Sequence, residues 1–108
     1  MNGQSAEFVE VGATAELADG TYVTVEVRGC SLLVANVDGA FFAVENRCSH
    51  IGSPLGGGRM KRGRITCPLH GAVYRVRTGE SLAPTLAPRG LRTFETRVED
   101  GKVWVRPG

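Results

Sequence analysis

Three cysteines and two histidines are present, and four of these five residues fall in two short stretches, "CSHIGSPL" (48–55) and "CPLHGAVY" (67–74). Each stretch offers one thiol and one imidazole: Cys48-x-His50 in the first and Cys67-x-x-His70 in the second. Thiolate and imidazole together form a donor set for zinc or for iron–sulfur centres. Common zinc patterns pair Cys with Cys at one end and His with His at the other. Mixed pairs suit instead a binuclear [2Fe–2S] centre in which one iron takes both cysteines and the other both histidines. Two ferric ions, two sulfides and two thiolates sum to a formal charge of about zero, against about minus two with four thiolates, so an added electron is less unfavourable. Neutral imidazoles can in addition couple electron uptake to proton uptake.

These loops need a rigid base, and the rest of the chain reads as one. At 108 residues it suits a single domain (1–108), and is too short to bury two independent cores. "FVEVG" (8–12), "TYVTVEV" (21–27), "SLLVANV" (31–37), "AFFAVEN" (40–46), "LRTFETRV" (91–98) and "KVWVRP" (102–107) are strand candidates. Val23, Val25 and Val27 share one face by alternation. Asp38-Gly39 and Glu99-Asp100-Gly101 are hairpin turns. Trp104 is expected in the core, and "ATAELADG" (13–20) allows at most a short helical turn. The class is all-β, an antiparallel β-sandwich base. Residues 47–90 break the strand rhythm with clustered Gly and Pro and two short strand candidates, "RITC" and "AVYRV". They read as a loop-rich subdomain carrying function over the scaffold.

Composition excludes several classes. The chain is 42% hydrophobic and 22% charged, ordinary for a globular protein, and its net charge of +2 is too small to argue for nucleic acid. The N-terminus lacks a basic region followed by an apolar core, and no run of about 18 apolar residues occurs, so the expected location is cytoplasmic, away from the membrane. With three cysteines and that location, metal binding explains the cysteines better than a disulfide framework does.

Cys48-Ser-His50-x-Gly52-x-Pro54-Leu55, then Cys67-Pro68-x-His70-Gly71, then Thr78-Gly79, resembles the Rieske iron–sulfur motif. The strand order around it is similar to that of small soluble Rieske ferredoxins, over roughly residues 8–107. The resemblance implies one [2Fe–2S] cluster, with Cys48 and Cys67 on the inner iron and His50 and His70 on the outer iron, the histidine edges reaching the surface. It also implies that "LAPT" (82–85) covers the cluster as a third loop. Gly52, Gly56 to Gly58 and Gly71 would permit positive φ and close backbone approach. Ser53 and Leu69 stand where respiratory Rieske proteins have an additional disulfide, and Ala72 where they have a serine donor, while Tyr74 matches their tyrosine. Missing donors disfavour the reduced state, so the expected potential lies toward the low end of about −150 to +300 mV. A Tyr74 hydroxyl reaching Cys48 would raise it slightly.

The function implied is one-electron carriage, with no residue acting as acid, base or nucleophile. The partners implied are an NAD(P)H-dependent flavin reductase and a terminal Rieske oxygenase attacking aromatic compounds. The chain lacks both the length and the two-His-one-carboxylate set for the oxygenase itself. Alternatives are the small Rieske subunit of an assimilatory nitrite reductase and a Cys₂His₂ zinc interaction module. Cys30 reads as a small, partly buried hydrophobe. "RMKRGR" (59–64) reads as a solvated hairpin or as a steering patch for an acidic partner. Leu55, Pro68 and Leu69 read as an apolar docking patch or a shield against water.

Overall fold

The computed structural model describes residues 8–48, 52–69 and 71–107, and nine strands form among the described residues. The central element is β3 (Cys30–Val37), whose run from Leu32 to Asn36 is buried on both faces. Leu33 and Ala35 point into one apolar cluster, and Leu32 and Val34 into a second. Strand β4 (Ala40–Glu45) pairs with it and divides its side chains likewise, Val44 to the first cluster and Ala43 to the second. A strand covered on both sides must read as a continuous apolar run rather than an alternation. The β3–β4 hairpin is therefore a wall between two cores.

Around that wall lie β1 (Val9–Ala13), β2 (Tyr22–Val27), β8 (Thr93–Glu99) and β9 (Lys102–Arg106). All pairs are antiparallel, in the order β1-β9-β8-β4-β3-β2. Val11 of β1 and Val25 of β2, from opposite ends of this order, line one cavity with Val34 and Val103. The sheet thus curls until its two halves face each other across the second core, giving the all-β base a barrel-like form. A bulge between Glu10 and Gly12 in β1 adds to the twist. One 3-10 turn, Thr14–Glu16, is the whole helical content among the described residues.

Between β4 and β8 the chain inserts β5 (Arg59–Lys61), β6 (Arg64–Thr66) and β7 (Val73–Arg75), a separate three-stranded antiparallel sheet. The insertion has no core of its own. Its Ile65, Tyr74 and Val76 pack in the first cluster with Leu33, Ala35 and Val44 of the wall.

Four hairpins use the same two-residue turn. Arg28-Gly29, Asp38-Gly39, Arg62-Gly63 and Asp100-Gly101 all have positive φ at both positions, the pattern whose twist matches that of the flanking strands. The last turn is thereby one residue tighter than the Glu99-Asp100-Gly101 expected, since Glu99 already pairs with Lys102.

Trp104 departs from expectation. Val103 and Val105 face the core, so alternation directs Trp104 to the outer face, half-buried, where its Nε1 donates to the Glu99 carbonyl at 3.4 Å. Val23, Val25 and Val27 do share a face, graded from exposed at Val23 to buried at Val27.

Candidate metal centre

Both cysteine loops are built on one hydrogen-bond frame. The Cys48 amide donates to the Ser53 carbonyl (2.7 Å), and the Gly52 amide returns to the Cys48 carbonyl (2.7 Å). In the second loop the Cys67 amide donates to the Ala72 carbonyl (2.7 Å), and the Gly71 amide to the Cys67 carbonyl (3.1 Å). Position for position the bonds are the same. Gly52 and Gly71, each four residues after its cysteine, both have φ 76, a conformation in which a side chain costs about 1–2 kcal/mol.

The loops converge. Cys48 (0% exposed) and Cys67 (1%) belong to one buried cluster with Leu55, Ala72, Tyr74 and Ala87, and neither is in a disulfide. The Tyr74 hydroxyl lies 3.4 Å from Cys48 Sγ, with both groups buried. Either group could donate in this contact; a metal-bound cysteine is deprotonated and can only accept, so with a metal group in place the hydroxyl would donate. Two buried, converging thiols on matched loops suit a group that takes soft donors from both. His50 and His70 lie outside the described residues.

The first loop is held by side chains of the base. Asn46 Oδ1 accepts from the Leu55 and Gly56 amides (2.8 Å each), while its Nδ2 donates to Ser31 Oγ (3.0 Å). The Tyr22 hydroxyl accepts from the Gly57 amide (2.9 Å) and donates to the Gly58 carbonyl (2.7 Å). The second loop is held by backbone. It connects β6 to β7, which pair through Thr66↔Val73, and the chain then returns alongside β7 through Tyr74↔Ser81 and the Leu82 amide on the Val73 carbonyl (2.7 Å). Within the segment expected as a third loop Pro84 and Thr85 are exposed; Leu86 and Ala87, just after it, reach the cysteine cluster.

Sequence reasoning missed Asn46 and Tyr22. Asn46 had a signal, since an Asn where a strand passes into a loop commonly caps loop amides. Tyr22 had none, because its partners lie 35 and 36 residues away. The expected apolar patch divides: Leu55 is fully buried, whereas Pro68 and Leu69 (65%) are exposed. Its place in the same buried cluster as both thiols makes Leu55 core. Cys30 is exposed rather than partly buried, because it closes the Arg28-Gly29 turn at a hairpin end. "RMKRGR" is a hairpin, β5–β6.

A curled β base with two matched cysteine loops, one leaving β4 and one joining β6 to β7 of an inserted three-stranded sheet, is the frame of a domain that binds a metal group through buried thiols. Residues 7–95 match the model of the Rieske [2Fe-2S] domain, and the chain belongs to that family. Its cofactor is one [2Fe–2S] cluster. The chain is 36% identical over 99 residues to the biphenyl 2,3-dioxygenase ferredoxin component of Rhodococcus jostii, covering 91% of each. It is 35% identical over 91 residues to human apoptosis-inducing factor 3, covering 84% of this chain but spanning only 15% of that protein's length. Among solved structures it superposes with a TM-score of 0.86 and 31% identity, covering 93% of both chains, on a chain from the complex of reduced oxygenase and oxidized ferredoxin in carbazole 1,9a-dioxygenase. No helix among the described residues is long and apolar enough to cross a membrane.

Proposed function

We propose that this chain carries single electrons from an NAD(P)H-dependent flavin reductase to a terminal Rieske oxygenase acting on aromatic compounds, in the cytoplasm. The observation that carries the reading is the pair of matched loops bringing Cys48 and Cys67 into one buried cluster. It is supported by near full-length likeness to a biphenyl dioxygenase ferredoxin component and by the fold shared with a chain of the carbazole 1,9a-dioxygenase complex.

The bound group supplies reversible one-electron chemistry with little change in coordination. The chain's residues supply the rest. Cys48 and Cys67 hold the inner iron, and His50 and His70 the outer one. Tyr74 donates to Cys48 Sγ and so favours the more electron-rich state, while Ala72 has no hydroxyl to add to it. The potential accordingly sits toward the low end of about −150 to +300 mV. Residues 47–90 form the cluster-binding subdomain, and Pro68 and Leu69 present an apolar surface beside the Cys67 loop.

The test is low-temperature EPR of the purified protein before and after dithionite, with iron and zinc counted on the same sample. A signal that appears only on reduction, with average g below the free-electron value and about two irons per chain, is the expected result. A colourless, silent protein holding about one zinc would overturn the proposal in favour of a structural module.

A further inference from the structure

Charge is unevenly placed along this chain. Eight of its thirteen basic residues but only one of its eleven acidic residues, Glu80, fall within 47–90, leaving the base net acidic. The basic residues are concentrated further by the pleat of the inserted sheet. Met60, Ile65 and Tyr74 form its inward row, with Ile65 and Tyr74 fully buried. Lys61, Arg64 and Arg75 form an outward row, for Lys61 pairs directly with Arg64 and Arg64 with Arg75. Three cations stand side by side across three strands. Arg59 shares the face, and a cleft of about 330 Å³ lined by Arg59, Lys61, Arg62 and Arg64 reaches Thr66 and Val73, the strand ends that flank the Cys67 loop.

Like charges directly opposite one another destabilise a sheet. Among the described residues the only ion pair on this row is Arg75 with Glu80 (3.7 Å), itself solvent-exposed and weak. The row works against the fold that carries it. A counter-charge from outside would relieve the repulsion, and we infer that the outward face of the β5–β6–β7 sheet docks an acidic patch on a redox-partner protein. This inference rests on the carrier reading above. A protein fits better than nucleic acid, because the sole aromatic residue of 47–90, Tyr74, is fully buried and offers no stacking platform. The exposed Pro68 and Leu69, in the loop that joins β6 to β7, supply apolar contact at the edge of such an interface. The acidic base opposes the same partner, so the molecule's charge separation favours approach by the cysteine-bearing end.

The test uses the holoprotein, reduced and freed of dithionite, and two one-electron oxidants of opposite charge, ferricyanide and tris(phenanthroline)cobalt(III). Each takes one electron from the protein and is reduced to its lower-valent complex. Raising salt from about 10 to about 200 mM should slow ferricyanide by about tenfold or more and speed the cobalt reagent. Lys61→Glu with Arg64→Glu should exchange the two behaviours, whereas Lys102→Glu with Arg97→Glu, an equal change of net charge on the base, should leave them as they were. The chain has only two lysines, so limited acetylation read by mass spectrometry adds an internal control. Poly-L-glutamate, as the acidic probe, should protect Lys61 and not Lys102. Equal salt dependence for both oxidants, or equal effects of the two double variants, would overturn the docking face. So would duplex DNA or phosphatidylserine vesicles that protect Lys61 where poly-L-glutamate does not. A protein that exchanges electrons with neither reagent would instead overturn the carrier reading itself.

Discussion

The two cysteine loops share a backbone frame but not a support. The first leaves β4 and is pinned from outside by side chains, Asn46 and Tyr22, on elements of the base. The second joins two short paired strands, and its ends are fixed by the sheet itself. The common frame suits a common task, because two cysteines presented with the same local geometry in one buried cluster would let one small group be held alike by both loops. The different supports answer chain connectivity: a loop between adjacent paired strands inherits its register, whereas a long excursion has to be fastened by polar side chains. Local geometry is therefore duplicated and stability is not.

The largest effect should be the one shared by both loops. Cys48→Ala and Cys67→Ala should each abolish the reduced-state EPR signal and the visible colour, to the same extent, since each removes one of the two buried thiols. Retention of a normal cluster by one variant alone would break the equivalence of the loops. Next comes a contrast between glycines. A Cβ on Gly58 would sit 2.0 Å from the Thr66 carbonyl oxygen, so Gly58→Ala should cost roughly 3 kcal/mol or more in denaturant unfolding of the holoprotein. At Gly71 nothing lies within 4 Å, and Gly71→Ala should cost only the roughly 1–2 kcal/mol of its positive φ.

Asn46→Ala sharpens the difference in support. It leaves the Leu55 and Gly56 amides without their acceptor, at about 2 kcal/mol for part-buried groups, and hydrogen exchange should accelerate in the first loop while the second keeps its protection. Uniform acceleration in both loops would show that they open as one unit. The smallest effect is expected at Tyr74→Phe. Losing one donor to Cys48 Sγ should lower the midpoint potential by tens of millivolts in a redox titration, about 59 mV being a tenfold change for one electron. Stability should hardly change. An unmoved potential would mean the hydroxyl serves packing alone.

Much of the scaffold was legible because its signals are local. Asp38-Gly39 and Glu99-Asp100-Gly101 announced their hairpins, the second turn being one residue shorter in the structure, and the alternation of Val23, Val25 and Val27 announced a shared face. The four candidate donors, Cys48, His50, Cys67 and His70, stood out for the same reason: ligand spacing within a loop is a property of a few consecutive residues. Trp104 was misread because hydrophobicity alone does not say which parity of a strand faces inward, and here Val103 and Val105 occupy that parity. For Leu55 the sequence left docking patch and water shield open, because its place in a Gly-rich loop hides the base residues it packs against, and its burial beside both cysteines fits the shield. The continuous burial of β3 was equally hidden, since a second core behind it exists only once β1, β2 and β9 have curled round.

By itself the sequence determined the all-β class, the paired Cys and His types with their spacing, and the two Asp-Gly hairpins, each written in a few neighbouring residues. Only the tertiary structure decided that Asn46 and Tyr22 hold the first loop, that Tyr74 reaches Cys48 across 26 positions, and that Lys61, Arg64 and Arg75 stand in one outward row. Apart from Asn46, whose partners lie nine and ten residues away, each of these depends on strand register between distant segments, and a shift of one residue would turn every such side chain to the opposite face.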